Sequence, residues 1–99
     1  MNLLESLQIP TSTLDLFIRS VNISSYLPGR VRLHCRQLVG NPQLEKHVQD
    51  RLQVFREIGK VETSTVTGSI LIHYVPEVLR ANVELRKVEE YIRLHARRK

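Results

Sequence analysis

A chain of 99 residues that is 41% hydrophobic and 25% charged, with four glycines and four prolines, has the composition of one folded domain. Disorder, collagen-like repeats and a disulfide scaffold are all excluded. The formal charge of +5 is unevenly placed: residues 86–99 hold Arg86, Lys87, Arg93, Arg97, Arg98 and Lys99 against Glu89 and Glu90, whereas bases and acids nearly cancel over residues 1–85. The excess reads as a cationic helix end that complements the macrodipole, or as a contact for an acidic protein, a phosphate or a lipid head group through Arg93, Arg97, Arg98 and Lys99.

Five aromatics and no Trp leave the core to Leu, Ile and Val, a single small core that self-association would help. Cys35 is the one cysteine, and a lone thiol suits a reducing compartment. MNLLESLQIPTS lacks the features of a secretory signal, so the cytoplasm is the expected location. No apolar run approaches the ~20 residues of a membrane helix.

In chain order, Leu14, Phe17, Ile18 and Val21 recur at helical spacing and predict an amphipathic helix over about Thr11–Val21. Val21–Tyr26 and Pro28-Gly29 follow, and Arg30–Arg36 alternates Val31, Leu33 and Cys35 with Arg32, His34 and Arg36, a strand with one core face and one wet face. Asn41 and Pro42 open a helix with Leu44, Val48, Leu52 and Phe55 on its stripe, running to about Glu57 and ended by Gly59. Lys60–Val66 and Ser69–Val75 predict a hairpin through a two-residue Thr67-Gly68 turn. Pro76 starts a last helical stretch with Leu79, Val83, Leu85, Val88 and Ile92 on its apolar side, where Asn82 is either a kink or a fresh cap.

This order predicts an α+β, ferredoxin-like β-α-β-β-α unit with an extra N-terminal helix and no final strand. The expected division is an N-terminal helical extension over residues 1–23 and the ferredoxin-like domain over 24–99. Without the last strand, the outer edge of Val31–Arg36 needs a cover. The N-terminal segment or a second copy could supply it, and a homodimer is expected.

Tyr26-Leu27-Pro28-Gly29-Arg30-Val31-Arg32-Leu33, followed by Val66-Thr67-Gly68-Ser69-Ile70-Leu71-Ile72-His73-Tyr74, resembles a variant of the heavy-metal-associated domain. That variant occurs at the N-terminus of some metal-transporting P-type ATPases and as small free-standing proteins. The likeness covers about Ser24–Pro76 and implies the same ferredoxin-like fold and a task in metal handling. The better-known copper and zinc chaperones of this fold carry Cys-x-x-Cys in the loop after the first strand, two thiolates making a soft-metal site. Here that loop reads Cys35-Arg36-Gln37-Leu38-Val39-Gly40-Asn41, so a dithiolate transfer mechanism is not expected.

The remaining candidate ligands are His73, His34 and Cys35. Both histidines alternate with core residues and so belong on the sheet face away from the helices, with Leu71 and Val75 in the row of His73. Imidazole beside apolar surface suits haem or an iron ion, although two half-exposed strand histidines without a ligand are the simpler reading. Cys35 is expected to point inward as a small hydrophobe, or, beside Arg36, to act as a ligand or redox thiol. Arg30 and Arg32 share a face and are candidate contacts for haem propionates or another anion. His47 and His95 read as solvated.

No nucleophile triad, carboxylate pair or phosphate-binding loop can be assembled, and no enzymatic activity is expected. The first functional reading is a small cytoplasmic protein that handles iron, another metal or haem, alongside a metal-transporting ATPase. The alternative is an interaction or regulatory module without metal. A specific nucleic-acid partner is not expected, because only Tyr74 stands on the central strands.

Overall fold

The computed structural model describes residues 17–96. Of the predicted N-terminal helix, residues 17–20 are helical, Val21 already bends away from the helix, and residues 11–16 lie outside the described residues. The chain then forms β1 (Asn22–Leu27), β2 (Arg30–His34), a 3₁₀ turn (Arg36–Leu38), α1 (Pro42–Leu52), β3 (Ile58–Thr63), β4 (Ser69–Tyr74), α2 (Pro76–Arg80) and α3 (Val83–His95). The sheet order is β1-β2-β4-β3, and every neighbouring pair is antiparallel.

The strand that the ferredoxin-like pattern lacks at its end is therefore supplied at its beginning. β1 pairs along the outer edge of β2, with Leu27 opposite Arg30, Tyr26 opposite Val31 and Ile23 opposite Leu33. Of the two covers expected for that edge, the N-terminal segment is the one used, and the argument for a second copy at β2 falls away. The hairpin is tight because Pro28-Gly29 turns with Gly29 at φ 91°, and a Cβ there would meet the Tyr74 carbonyl at 2.9 Å. The Tyr74 N–H in turn donates to the Gly29 carbonyl at 3.0 Å, fastening the turn to β4. The division expected between residues 23 and 24 falls inside β1.

Alternation sends Val31, Leu33, Ile70, Ile72 and Tyr74 inward from the central strands, where they meet Val48 and Leu52 of α1 and Leu85, Val88 and Ile92 of α3. All of these are buried, and burial of a Leu or Ile side chain contributes roughly 1.5–3 kcal/mol. α1 starts as predicted, Asn41 Oδ1 accepting from the Leu44 N–H at 3.0 Å with Pro42 at the first helical position. It ends five residues earlier than predicted, at Leu52. β3 begins at Ile58, opposite Tyr74, so residues 53–57 must turn, and Phe55 reaches the core from that turn rather than from the helix. Gly59 consequently lies in β3 beside a bulge instead of ending a helix.

The β3–β4 connection is also longer than the two-residue turn predicted. Residues 64–68 form it, with the Gly68 N–H donating to the Ser64 carbonyl at 2.9 Å and Ser64 Oγ accepting from the Val66 and Thr67 N–H groups. Asn82 is a fresh cap: its Oδ1 accepts from the Glu84 and Leu85 N–H groups, separating α2 from α3.

One polar group is buried on the apolar side of α3. Glu89 Oε2 accepts from Tyr74 Oη at 2.6 Å and Tyr26 Oη at 3.0 Å, and Arg80 donates to both carboxylate oxygens, from Nε at 2.7 Å and Nη2 at 3.0 Å. Burial alone would raise the Glu89 pKa, but the hydrogen bonds from Arg80, Tyr74 and Tyr26 outweigh it and hold it below the ordinary 4.5. The Tyr74 phenol is pushed far above its usual range by burial and by the Glu89 carboxylate.

A carboxylate with a lowered folded pKa contributes stability that is complete above its unfolded value and is lost as pH falls through its folded one. Urea unfolding of the native chain should therefore show an acid loss of stability below about pH 4.5 that is shallower in Glu89→Gln. At pH 7 the same substitution should cost about 1–3 kcal/mol. Parallel acid limbs in the two chains would show that Glu89 is not held ionised.

Candidate functional site

Among the described residues, the sheet has one face packed on the helices and one left open. Register arranges the open face in rows. Leu27, Arg30, His73 and Lys60 make the first; Ser25, Arg32, Leu71 and Glu62 the second; Asn22, His34 and Ser69 the third. His34 and His73 do share this face, but at opposite ends of the β2–β4 pair: His73 is opposite Arg30 and His34 opposite Ser69. Four residues of strand separate the two rows, about 13 Å, too far for one metal ion to take both imidazoles.

Arg30 and Arg32 are exposed, and among the described residues neither has an ion pair or side-chain hydrogen bond. The nearest acid in the rows, Glu62, is already engaged: its Oε2 lies 3.4 Å from Lys60 Nζ and 3.3 Å from His73 Nε2. His73 Nε2 is shielded from solvent and makes no hydrogen bond, so the contact to Glu62 is one of proximity without hydrogen-bond alignment. The first and second rows thus present two guanidiniums, five donors each, whose charge no described residue on the β1 side of the face offsets.

The loop after β2 is closed. Cys35 is 7% exposed, its N–H donates to the Gly68 carbonyl at 2.8 Å, and Gly40 N–H donates to the Thr65 carbonyl at 2.8 Å. Gly68, at φ 78°, lies so near that a Cβ would stand 2.6 Å from the Cys35 carbonyl oxygen and 3.1 Å from Val39 Cγ2. The turn before β4 therefore locks the loop in which the better-known relatives display thiols.

The remaining sequence candidates are dispersed. Arg93 pairs with Glu90 on the exposed side of α3, and His95 stacks on Tyr91, ring centroids 4.1 Å apart, with Nδ1 2.8 Å from the Tyr91 carbonyl. Arg97, Arg98 and Lys99 lie outside the described residues. Tyr74 faces the core, so it offers no stacking surface on the open face. A cavity of about 40 Å³ between sheet and helices, lined by Val31, Ile72, Leu79 and Val88 among others, is far below the roughly 300 Å³ at which ligand pockets begin.

Residues 14–94 match the profile of heavy metal associated domain 2. The chain belongs to this family. Comparison with curated proteins and with solved structures gives no match. Membership of heavy metal associated domain 2 joins the chain to metal-related binding or interaction, and the side chains decide what kind of metal site is feasible. A thiolate site for a soft ion does not fit them: Cys35 is buried in a locked loop, and no group of three or more His, Cys, Asp or Glu side chains is gathered among the described residues. No helix among those residues is long and apolar enough to cross a membrane.

Reading the sequence missed Lys60 and Glu62 as members of the open face, although their alternation with Val61 in a strand antiparallel to β4 is the signal that places them there. It also missed the lock on the Cys35 loop, which depends on a non-local contact that spacing does not reveal. Gly68→Ala should break that lock. A left-handed conformation costs a non-glycine residue about 1–2 kcal/mol, before the clash with Cys35 is counted. The variant should unfold at lower urea and its Cys35 should react faster with a thiol reagent, whereas a native Cys35 that reacts as fast as a free thiol would show the loop to be open.

Proposed function

We propose that this member of heavy metal associated domain 2 is a non-enzymatic cytoplasmic binding module that acts through its open sheet face, on a partner from metal handling such as a metal-transporting ATPase. The contrast between two positions supports this reading. Cys35, where metal chemistry would be expected, is buried and locked, while Arg30 and Arg32 stand exposed and without a counter-charge among the described residues. Unpaired guanidiniums on a rigid strand are pre-organised to take carboxylates in bidentate fashion. The family supplies the metal context.

Binding to the purified cytosolic part of a metal-transporting ATPase from the same organism tests it. Arg30→Glu with Arg32→Glu should weaken that binding tenfold or more. His34→Ala, His73→Ala, Cys35→Ser and a chelator should leave it unchanged. Loss on chelation or in His73→Ala would instead make a bound ion the link between the two proteins.

A second reading, haem or iron held at His73, is favoured by one feature: its imidazole lies in the row opposite Arg30, between Leu71 and the exposed Val75, which pairs an iron ligand with an anion contact and apolar surface. Ligation through Nε2 requires Glu62 to leave it, and a bis-histidine haem would need a second chain, since His34 is too distant. Titration with haemin, ferric and reduced, decides this reading. A saturable Soret shift lost in His73→Ala and strengthened in Glu62→Gln establishes it, and a featureless titration in every chain removes it.

A further inference from the structure

The two edges of the sheet are unequally defended. β3, at one edge, carries Lys60 and Glu62 on its open-face side, and charged side chains are a common device against unwanted strand pairing. β1, at the other, reads Asn22-Ile23-Ser24-Ser25-Tyr26-Leu27, without charge or proline. Each edge strand has one bulge, at Ser24 in β1 and Gly59 in β3, so bulges do not distinguish them and charge does. Among the described residues no strand pairs with the outer side of β1.

The side chains of the open face indicate what fits beside it. A strand added to β1 lies about 4.8 Å beyond it and so about 10 Å from β2. In the row of Arg32 only Ser25 stands between, a hydroxymethyl over which a long guanidinium side chain can extend. In the row of Arg30 the intervening residue is Leu27, 61% exposed, which offers apolar contact to a neighbouring strand. Carboxylates at alternate positions of the added strand would meet Arg32 and Arg30, with which no acid among the described residues pairs. A second copy of β1 brings no acid, and it would merge two arginine-bearing faces into one sheet.

We propose that the outer edge of β1 accepts an extended acidic segment of a partner protein as a fifth strand, its backbone paired to β1 and its carboxylates bound by Arg30 and Arg32. The proposal rests on the reading of the open face as a binding surface and names how the partner is held. Main-chain pairing provides the affinity and the alternate side chains the selectivity, as in other cases of strand addition.

The test uses the full chain and three labelled eight-residue peptides: one alternating Glu and Val, one alternating Lys and Val, and the Glu-Val peptide N-methylated at alternate residues. Anisotropy should show saturable binding of the first that weakens at least tenfold in Arg30→Glu with Arg32→Glu and in Ser25→Glu. Neither of the other peptides should bind, and hydrogen exchange should show new protection of β1 amides in the complex. Equal binding of the N-methylated peptide, or binding without protection of β1, would overturn the edge inference while leaving the open face as the binding surface. Protection of β1 on self-association without peptide would assign the edge to a second copy, and selective binding of polyuridylate would assign the face to nucleic acid; either overturns the proposal, as does the absence of binding by all three peptides. Arginine-dependent binding of the ATPase part without protection of β1 separates a failure here from a failure of the broader reading.

Discussion

Backbone amides and carbonyls on a central strand need partners on both sides, and for β2 one of those sides is served by β1. The hairpin through Pro28-Gly29 makes this pairing local, so it is established over a short stretch of chain with little loop entropy to overcome. Much else follows from it. β2 becomes an interior strand, so Arg30 and Arg32 project from a stiff surface rather than from a loose margin. The exposed margin moves outward by one strand, from a segment rich in arginine to one without charge. Among the described residues the sheet has four strands, with β1 in the place beside β2.

The open face owes its character to the partition imposed by the pleat. On β2 and β4 every second residue is committed to the core, leaving Arg30, Arg32 and His34 on one strand and Ser69, Leu71 and His73 on the other. Pairing with β3 then supplies Glu62, which occupies Lys60 and His73 together, so the acid neutralises one half of the face and leaves the other half cationic. The family to which the chain belongs is associated with heavy metals, yet the loop after β2 is held closed here by hydrogen bonds that the Cys35 and Gly40 N–H groups donate to the Gly68 and Thr65 carbonyls. The exposed groups on the β2 side of the open face are guanidiniums instead.

Much of this architecture was legible in the residues. Period-two alternation over Arg30–Arg36 identified both the core set and the wet set, and Asn41-Pro42 marked a helix start whose cap geometry is the one observed. The failures are of one kind. The end of α1 was misplaced because Phe55 continues the helical spacing while the register of β3 against β4, a tertiary demand, cuts the helix short. The histidines were placed on the correct face but their separation was not readable, since it is set by which residue of β2 faces which of β4. The strand at Asn22–Leu27 gave a weak signal because its inward residues, Ile23 and Tyr26, fall out of simple alternation across the bulge at Ser24. Glu89 looked like one of several solvated acids on α3, and only the convergence of Tyr26, Tyr74 and Arg80 reveals it as an interior group.

That convergence has a mechanical consequence. Tyr26 stands in β1, whereas Glu89 belongs to α3 and Tyr74 to β4, so the first strand is tied to α3 by a partly buried side-chain hydrogen bond as well as to β2 by its backbone. An edge strand of six residues would ordinarily fray first, in the low-energy openings that expose amides one segment at a time. Here, peeling β1 away would also strip the Tyr26 donor from the Glu89 carboxylate, leaving it with Tyr74 and Arg80 alone. Fraying of the outermost strand therefore costs about 1 kcal/mol more than its backbone pairing alone would set.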